Sequence, residues 1–293
     1  MKIAVYGKQF NQSVLPFIRQ VFSSLEQHDA EISVYSELND FIVGQENFSI
    51  KHTVFNSYED IKNRIDVMLT LGGDGTILGT VDIIRDSGIP VIGINFGRLG
   101  FLASINKNDI AAAIHAVVNG QYTLDHRALL AIEADPGVFE NRNTALNDIT
   151  IHKRDDAAMI TIHAFLNDEF LNTYWGDGII VSTPTGSTAY SLSCGGPIVF
   201  PQSGNFVITP ISPHNLNVRP IVISDDRKLT FKVETRSTNY LISCDSKTET
   251  IDTPNVFTIR KANYGLNLVR LNNESYLSTL RNKLMWGLDA RNY

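Results

Sequence analysis

The segment best suited to chemistry is residues 71–76 (LGGDGT), which lies between an apolar run and a helical pattern. Glycines at such a corner allow backbone conformations closed to other residues and let a ligand approach the main chain. The unpaired N–H groups and the dipole of the following helix favour a phosphate group. Asp74 is unusual there, because a carboxylate repels phosphate unless a metal ion or a reacting hydroxyl lies between them. The alternative is a tight turn in which Asp74 only caps the helix.

A second segment, residues 176–193 (GDGIIVSTPTGSTAYSLS), has the pattern of a strand, a hydroxyl-rich turn and a short helix. Its hydroxyl and backbone donors suit phosphate or ribose oxygens, and Tyr190 offers a flat face for a base. A third, residues 93–102 (GINFGRLGFL), has three glycines after a strand pattern. Ligands of open α/β sheets bind at the carboxyl ends of strands, so this loop is expected near Asp74. For both segments an ordinary structural turn remains the alternative.

Composition excludes several classes of protein. The 293 residues carry 25 basic and 31 acidic side chains, a net charge of −6, which argues against a protein that coats nucleic acid. The two cysteines, Cys194 and Cys244, cannot build a disulfide framework and fit a reducing cytosol. The N-terminus resembles a first strand rather than a signal peptide, and no apolar stretch approaches the ~20 residues of a membrane span. We therefore expect a cytoplasmic protein, without a metal site of the CxxC or HExxH kind.

The secondary-structure pattern that must position these segments changes near residue 126, from alternating strands and helices to strands alone. Before it, apolar runs at 3–6, 66–71 and 89–94 alternate with helical spacing at 14–25, 77–84 and 110–118. That alternation predicts a mostly parallel sheet with crossover helices. After it, short β-type runs separated by turn residues predict an antiparallel all-β domain. Near the end, Leu277, Leu280, Leu284 and Leu288 share one helical face.

Read together, the segments resemble the bacterial NAD kinase family. The resemblance rests on GGDGT (72–76), GINFGRLGFL (93–102), the 176–193 run with the CGGP that follows it, and residues 213–220. GGDG alone also resembles the loop of diacylglycerol and sphingosine kinases and of 6-phosphofructokinases, whereas the 176–193 run is discriminating. The resemblance implies an α/β domain over 1–125, an all-β NAD-binding domain over 126–270 and a tail, 271–293, whose helix returns to the first domain.

The resemblance also implies an activity. Family members transfer the γ-phosphoryl group of ATP to the adenosine-ribose 2′-hydroxyl of NAD, giving NADP, and they require a divalent cation such as Mg or Mn. They are usually homodimers or homotetramers whose NAD site borrows residues across a subunit contact. The implied partners are thus small molecules and copies of the chain, with neither nucleic acid nor membrane among them.

Residue roles follow from the resemblance position by position. Asp74 matches the proton acceptor, Asn147 and Asp148 match the pair that holds ribose hydroxyls, and Asp177 matches a contact to the nicotinamide end. Further nucleotide-binding residues implied are Gly72, Gly73, Gly75, Thr76, Asn95, Trp175, Thr188, Ala189, Tyr190, Ser191, Leu192, Ser193 and Lys247. No side chain is assigned to a metal.

This sequence departs from the family pattern at three of these positions. Asp148 is one methylene shorter than the usual Glu, which favours a longer or water-mediated ribose contact. Trp175 stands where many relatives have Arg, so it can stack on a ring but lacks the fork of donors. Lys247 stands where some have Gln. The Trp175 departure leaves the choice between NAD and NADH open. The range of phosphate donors is open as well, because ATP, other triphosphates and polyphosphate present similar terminal groups.

In the expected mechanism, Asp74 gives modest assistance to the attack of the ribose hydroxyl on the phosphoryl group. A ribose hydroxyl is too weak an acid for an ordinary aspartate to ionise beforehand, so Asp74 orients it and accepts the proton late in a loose transition state. Two other functions remain open: a lipid kinase with the same GGDG corner, and a dinucleotide sensor that has lost the chemistry. The hydroxyl-rich run at 182–191 argues against the first, and the intact Asp74 argues against the second.

Overall fold

The structure is a computed structural model that describes residues 1–8, 10–46, 48–98, 100–134, 139, 143–154, 159–252, 255–271 and 275–286. It divides into two compact units. The first comprises Met1–Asp125 together with Asn267–Tyr293, and the second comprises His126–Leu266. Part of the predicted tail, residues 272–274 and 287–293 with Leu288, lies outside the described residues.

The helices are α1 (Leu15–Gln27), α2 (Ser36–Val43), α3 (Tyr58–Ile61), α4 (Asp74–Ile84), α5 (Ile110–Val118), α6 (Tyr190–Ser193) and α7 (Tyr276–Leu284). The strands are β1 (Lys2–Tyr6), β2 (Glu31–Tyr35), β3 (Thr53–Phe55), β4 (Val67–Leu71), β5 (Val91–Asn95), β6 (Ile105–Asn106), β7 (Tyr122–Glu133), β8 (Thr144–Ala145), β9 (Asp148–His152), β10 (Ile160–Leu166), β11 (Glu169–Gly176), β12 (Gly178–Ser182), β13 (Asn205–Ile211), β14 (Ile221–Ser224), β15 (Leu229–Glu234), β16 (Asn239–Cys244), β17 (Lys247–Asp252) and β18 (Val256–Leu271).

The first unit is built on a parallel sheet. Its strand order is β18–β5–β4–β1–β2–β3, with β6 beside β5, and all of these pairs are parallel. Strands β4 and β5 are buried along their whole length, as expected for strands covered on both faces. Helices α1 and α5 pack on this sheet through residues spaced three or four apart, so they bury one stripe each. The end of β4 and the start of α4 thus occupy fixed positions at the sheet edge.

The second unit contains two antiparallel sheets. One has the order β14–β13–β12–β9–β16–β17, and the other pairs β11–β10–β15–β18. Alternate side chains of these strands form one apolar core, which includes Tyr174, Phe206, Phe231 and Tyr240. Strand β12 is fully buried in the middle of its sheet, so the turn that follows it starts from a rigid base.

The predicted fold class, an α/β part followed by an antiparallel part with a helix near the chain end, is confirmed. The helix predicted over 110–118 is α5, and the C-terminal helix is α7, in which Leu280 is buried and Leu277 is exposed. Strands β9 and β17 were not predicted. No helix within the described ranges has both the length and the apolar character needed to cross a membrane.

Candidate active site

The glycine corner of the first unit joins β4 to α4. Gly72 has φ +146°, a left-handed conformation that favours glycine, and an added Cβ would lie 2.2 Å from Thr76 Oγ1. Gly73 is the N-cap of α4, and no side chain caps that end of the helix. Gly75 is exposed, and a Cβ there would meet nothing within 4 Å. The corner therefore presents an open helix N-terminus rather than one closed by a side chain.

Asp74 does not cap its own helix; its carboxylate holds the neighbouring loop. Phe101 N–H donates to Oδ2 at 2.8 Å, while Leu102 N–H and Ala103 N–H donate to Oδ1 at 3.1 and 2.9 Å. Gly100 makes this approach possible, because a Cβ there would lie 1.8 Å from Asp74 Oδ1. The expectation that the 93–102 loop neighbours Asp74 is therefore confirmed by direct hydrogen bonds.

These contacts leave Asp74 with acceptor capacity to spare. An ionised carboxylate offers about four lone-pair positions, and the three amides fill most of them. The half-buried side chain is fixed in orientation by donors that cannot move away without breaking the turn. One further hydroxyl donor can be accepted in a defined direction, which is what an orienting proton acceptor requires.

Asn95 lies beside this corner but uses its side chain internally. Its Nδ2 donates to the Arg98 carbonyl at 2.6 Å, and its Oδ1 accepts from Gly97 N–H at 2.9 Å. Nδ2 would lie 3.7 Å from a Cβ at Gly73. Asn95 therefore shapes the turn next to the glycine corner, and its predicted nucleotide contact stays a prediction.

In the second unit, the hydroxyl-rich turn after β12 is held by its own side chains. Thr183 Oγ1 donates to the Leu146 carbonyl at 2.6 Å, and Thr183 N–H donates to the Asn147 carbonyl at 2.9 Å. Ser187 Oγ donates to the Pro184 carbonyl at 2.7 Å and accepts from Val199 N–H at 3.0 Å. These hydroxyls are buried structural groups, and the segment they fix leads directly into α6.

Asn147 and Asp148 lie against this turn. Gly186 allows the contact, because a Cβ there would lie 2.0 Å from the Asn147 carbonyl oxygen. The side chain of Asp148 is 6% exposed and accepts one hydrogen bond, from Thr150 Oγ1 at 3.1 Å. Burial, with a smaller contribution from the Asp245 carboxylate, raises the pKa of Asp148 from 3.8 to about 7. Near neutral pH this group can therefore either donate or accept a hydrogen bond.

Asp177 and Trp175 form a second polar corner of the same unit. Asp177 Oδ1 pairs with Lys153 Nζ at 2.9 Å, and Lys153 N–H also donates to the Asp177 carbonyl. The Trp175 side chain is 41% exposed, and its ring centroid lies 4.5 Å from that of His214. His214 N–H donates to the Trp175 carbonyl at 2.8 Å. The corner thus combines a partly neutralised carboxylate with an exposed aromatic face.

The residues in and around α6 differ in their exposure to solvent. Tyr190 is 46% exposed and hydrogen-bonds Cys194, and burial raises the pKa of both side chains. Ser191 is fully buried, and its hydroxyl shares a 2.8 Å hydrogen bond with Thr209 Oγ1. Partly or fully exposed positions here are Thr188, Ala189, Leu192, Ser193 and, on β17, Lys247. Tyr190 is therefore best placed to stack on a base, while Ser191 packs in the core.

The predicted residues form two groups, one in each unit. Residues 72–76 and Asn95 belong to the first, and the others, from Asn147 to Lys247, belong to the second. The sequence missed the role of the Phe101, Leu102 and Ala103 amides and of Lys153. Most clearly it missed Asp245, whose carboxylate accepts from three backbone N–H groups of residues 146–148. Asp245 sits in a polar turn between two β runs, and nothing local separates it from an ordinary turn aspartate.

The described residues hold no group of three or more His, Cys, Asp or Glu side chains arranged to bind a metal ion. Mg²⁺ in phosphate-transfer sites is commonly held by substrate phosphates, water and one or two carboxylates. The residues present therefore fit a cation that arrives bound to a triphosphate.

Comparison with known proteins identifies relatives over the whole chain. The ATP-NAD kinase N-terminal domain matches residues 11–122, and the ATP-NAD kinase C-terminal domain matches residues 146–271. A protein named NAD kinase from Flavobacterium johnsoniae is 42% identical over 294 residues, covering 100% of both chains. One from Bacteroides fragilis is 41% identical over 291 residues, covering 99% of this chain and 100% of that one.

Solved structures match as well. Yeast NADH kinase complexed with NADH superposes with a TM-score of 0.89 at 23% identity, covering 100% of this chain and 89% of that one, which establishes the shared fold. An NAD kinase from Archaeoglobus fulgidus in complex with ATP gives a TM-score of 0.75 at 26% identity, covering 97% and 99%.

Proposed function

Because the chain belongs to the ATP-NAD kinase family, we propose that it transfers the γ-phosphoryl group of ATP to the adenosine-ribose 2′-hydroxyl of NAD, giving NADP. One geometric observation supports this function beyond family membership. Asp74 lies in a glycine corner at an open helix N-terminus, fixed by three backbone amides, with room for one more donor. A triphosphate end and a sugar hydroxyl are the two partners that such a corner suits.

In this reaction the second unit would bind the dinucleotide. Asn147 and Asp148 face the hydroxyl-rich turn and suit ribose hydroxyls, while the exposed Tyr190 ring suits adenine. Asp177 and Trp175 suit the nicotinamide end, since one offers a carboxylate and the other an aromatic face. The remaining predicted contacts with exposed surface, Thr188, Ala189, Leu192, Ser193 and Lys247, complete the proposed binding surface, whereas Ser191 is buried beneath it.

Asp74 would act as an orienting group and late proton acceptor. In a loose phosphoryl-transfer transition state the attacking oxygen needs little prior deprotonation. The fourth acceptor position of Asp74 would receive the 2′-hydroxyl hydrogen, direct the oxygen toward phosphorus and take the proton as the new bond forms. Such assistance is worth ~10²–10⁴-fold in rate. A divalent cation held by the phosphates would neutralise their charge.

The test is product formation by the purified chain. The protein is incubated with ATP, Mg²⁺ and either NAD or a lipid alcohol, and products are identified by mass spectrometry. We expect NADP, with no phosphorylated lipid. A phosphorylated lipid without NADP would establish the lipid kinase, and NAD binding without product would establish a sensor; either result overturns the proposal.

We also propose an assembly and a location for the protein. A homodimer or homotetramer is proposed from the family resemblance. A cytoplasmic location is proposed from the two free thiols, Cys194 and Cys244.

A further inference from the structure

Asp245 lies in the tight turn between β16 and β17, and its backbone φ is +52°. A non-glycine residue in this left-handed conformation is uncommon, and here the surrounding hydrogen bonds hold it in place. Asp245 N–H donates to the Asp148 carbonyl at 2.9 Å. The pairing of Cys244 with Ile149 brings the turn directly beside residues 146–148.

The Asp245 carboxylate also bonds residues 146–148, through their backbone amides. Oδ2 accepts from Leu146 N–H at 2.8 Å, and Oδ1 accepts from Asn147 N–H at 2.8 Å and Asp148 N–H at 3.1 Å. Each bond spans nearly one hundred residues of sequence, so no local element could supply it. Charge-assisted hydrogen bonds of this kind are stronger than neutral ones.

The hydroxyl-rich turn also binds this backbone, through carbonyl groups rather than amides. Thr183 bonds the carbonyls of Leu146 and Asn147, and Gly186 lets Asn147 approach closely. The carbonyls of Leu146 and Asn147 are therefore bound by Thr183, whereas all three amides of residues 146–148 and the Asp148 carbonyl are bound by Asp245. Hydrogen bonds from two distant segments thus fix this stretch of backbone.

From this geometry we propose that Asp245 is a positioning residue of the dinucleotide site, which acts by fixing Asn147 and Asp148 in the orientation that the ribose requires. The inference rests on the proposed function, because it assumes that Asn147 and Asp148 bind NAD. Asp245 itself touches no reacting atom in this account.

The carboxylate charge has a second consequence for Asp148. Burial raises the pKa of both side chains, but Asp245 has three amide donors and nearby Lys247 to oppose the rise, whereas Asp148 has only Thr150. After the larger effect of burial, the Asp245 carboxylate itself adds to the rise in the pKa of Asp148. The other titratable groups facing Asp148 are Tyr190 and Cys194, which lie on and next to α6.

The experiment uses Asp245→Asn, which keeps the size but replaces one acceptor oxygen by a donor and removes the charge. We expect the KM for NAD to rise at least ~10-fold, as for a lost charge-assisted hydrogen bond, with kcat reduced by less than about threefold and the KM for ATP unchanged. The pH midpoint of the NAD KM should move down, because Asp148 loses a neighbouring carboxylate. Asp252→Asn, an exposed change of equal charge on β17, is the matched control.

Asp245→Glu separates position from charge. It keeps the charge and displaces the carboxylate, so the KM for NAD should rise while the pH midpoint stays. NAD affinity of all variants is also measured by calorimetry, without ATP. If folded Asp245→Asn binds and uses NAD like the control, the inference is wrong even though the wild type makes NADP. If the wild type makes no NADP, the proposed function fails instead, and the calorimetric comparison still decides whether Asp245 positions the NAD site.

Discussion

At the residue scale, the site is defined by carboxylates whose surroundings differ. Asp74 is fixed by three amides in a half-buried corner, whereas Asp148 is almost completely buried with a single hydroxyl partner. The sequence identified both positions, because their motifs are local. It could not identify the amides that bond Asp74, because they lie 27 to 29 residues away, nor the role of Asp245, whose partners lie 97 to 99 residues away.

Asp148 makes the stability of the protein depend on pH. Its pKa is about 7 in the folded chain against 3.8 ordinarily, so between these values the unfolded chain releases a proton that the folded chain keeps. Stability from this group therefore falls as pH rises through that window and is lowest above pH 7. Between pH 5 and 8 the loss is about 3 kcal/mol.

Asp148→Asn removes this dependence. We expect its free energy of unfolding, measured in urea, to exceed that of the wild type at pH 8 by clearly more than at pH 5, while NAD binding weakens. Asp252→Asn, on the exposed edge strand, should follow the wild type at both pH values. Parallel pH profiles for Asp148→Asn and the wild type would contradict this assignment.

Trp175 should favour the oxidised dinucleotide. Oxidised nicotinamide is a cation and reduced nicotinamide is neutral, so an exposed indole face gains ~0.5–1 kcal/mol only with the oxidised ring. Trp175→Leu should lower the ratio of kcat/KM for NAD over NADH by roughly two- to fivefold. Phe170→Leu, an exposed aromatic on the same strand, is the control. If Trp175→Leu left this ratio unchanged, Trp175 would not be the residue that favours the oxidised dinucleotide.

At the scale of the element, the sequence predicted some parts closely and missed others for identifiable reasons. Helix α5 has four buried residues at helical spacing and was predicted with its observed bounds. Strand β17 was missed because it is an edge strand with a single buried apolar residue, Ile251. Strand β9 was missed although its residues do alternate, with Ile149 and Ile151 between polar side chains, so a period-2 signal was present. Strand β17 is specified by its pairing with β16 rather than by its own pattern.

The loop at 100–103 is the element on which the Asp74 geometry depends. Gly100→Ala would place a Cβ 1.8 Å from Asp74 Oδ1, so the carboxylate must move. We expect kcat to fall roughly 100-fold, the cost of misplacing a catalytic group by about 1 Å, with a lower Tm. Gly44→Ala is the control, because its Cβ would meet only ordinary contacts beyond 3.8 Å. Wild-type kcat in Gly100→Ala would show that this loop does not set the Asp74 orientation.

At the scale of the whole molecule, the sequence pattern changes near residue 126 from alternating strands and helices to short β-type runs. That change predicted an α/β part followed by an antiparallel part, because hydrophobic period and turn spacing are local properties. Strand order and register could not be predicted, because they depend on pairing between distant segments. The division into 1–125, 126–270 and 271–293 stays a proposal, which the observed compact units support.

The proposed assembly is tested by mass in solution. Size-exclusion chromatography with light scattering should give two or four times the chain mass of 32.6 kDa. A concentration-independent monomer that makes NADP would contradict the oligomer and leave the activity standing.

The central claim is that the Asp74 carboxylate assists transfer of phosphate to NAD. The most direct measurement is kcat and NAD affinity of Asp74→Asn, beside Asp109→Asn as an exposed control in the same unit. The account predicts a kcat at least ~100-fold below wild type, with NAD affinity changed less than about threefold. A kcat within about threefold of wild type would contradict it.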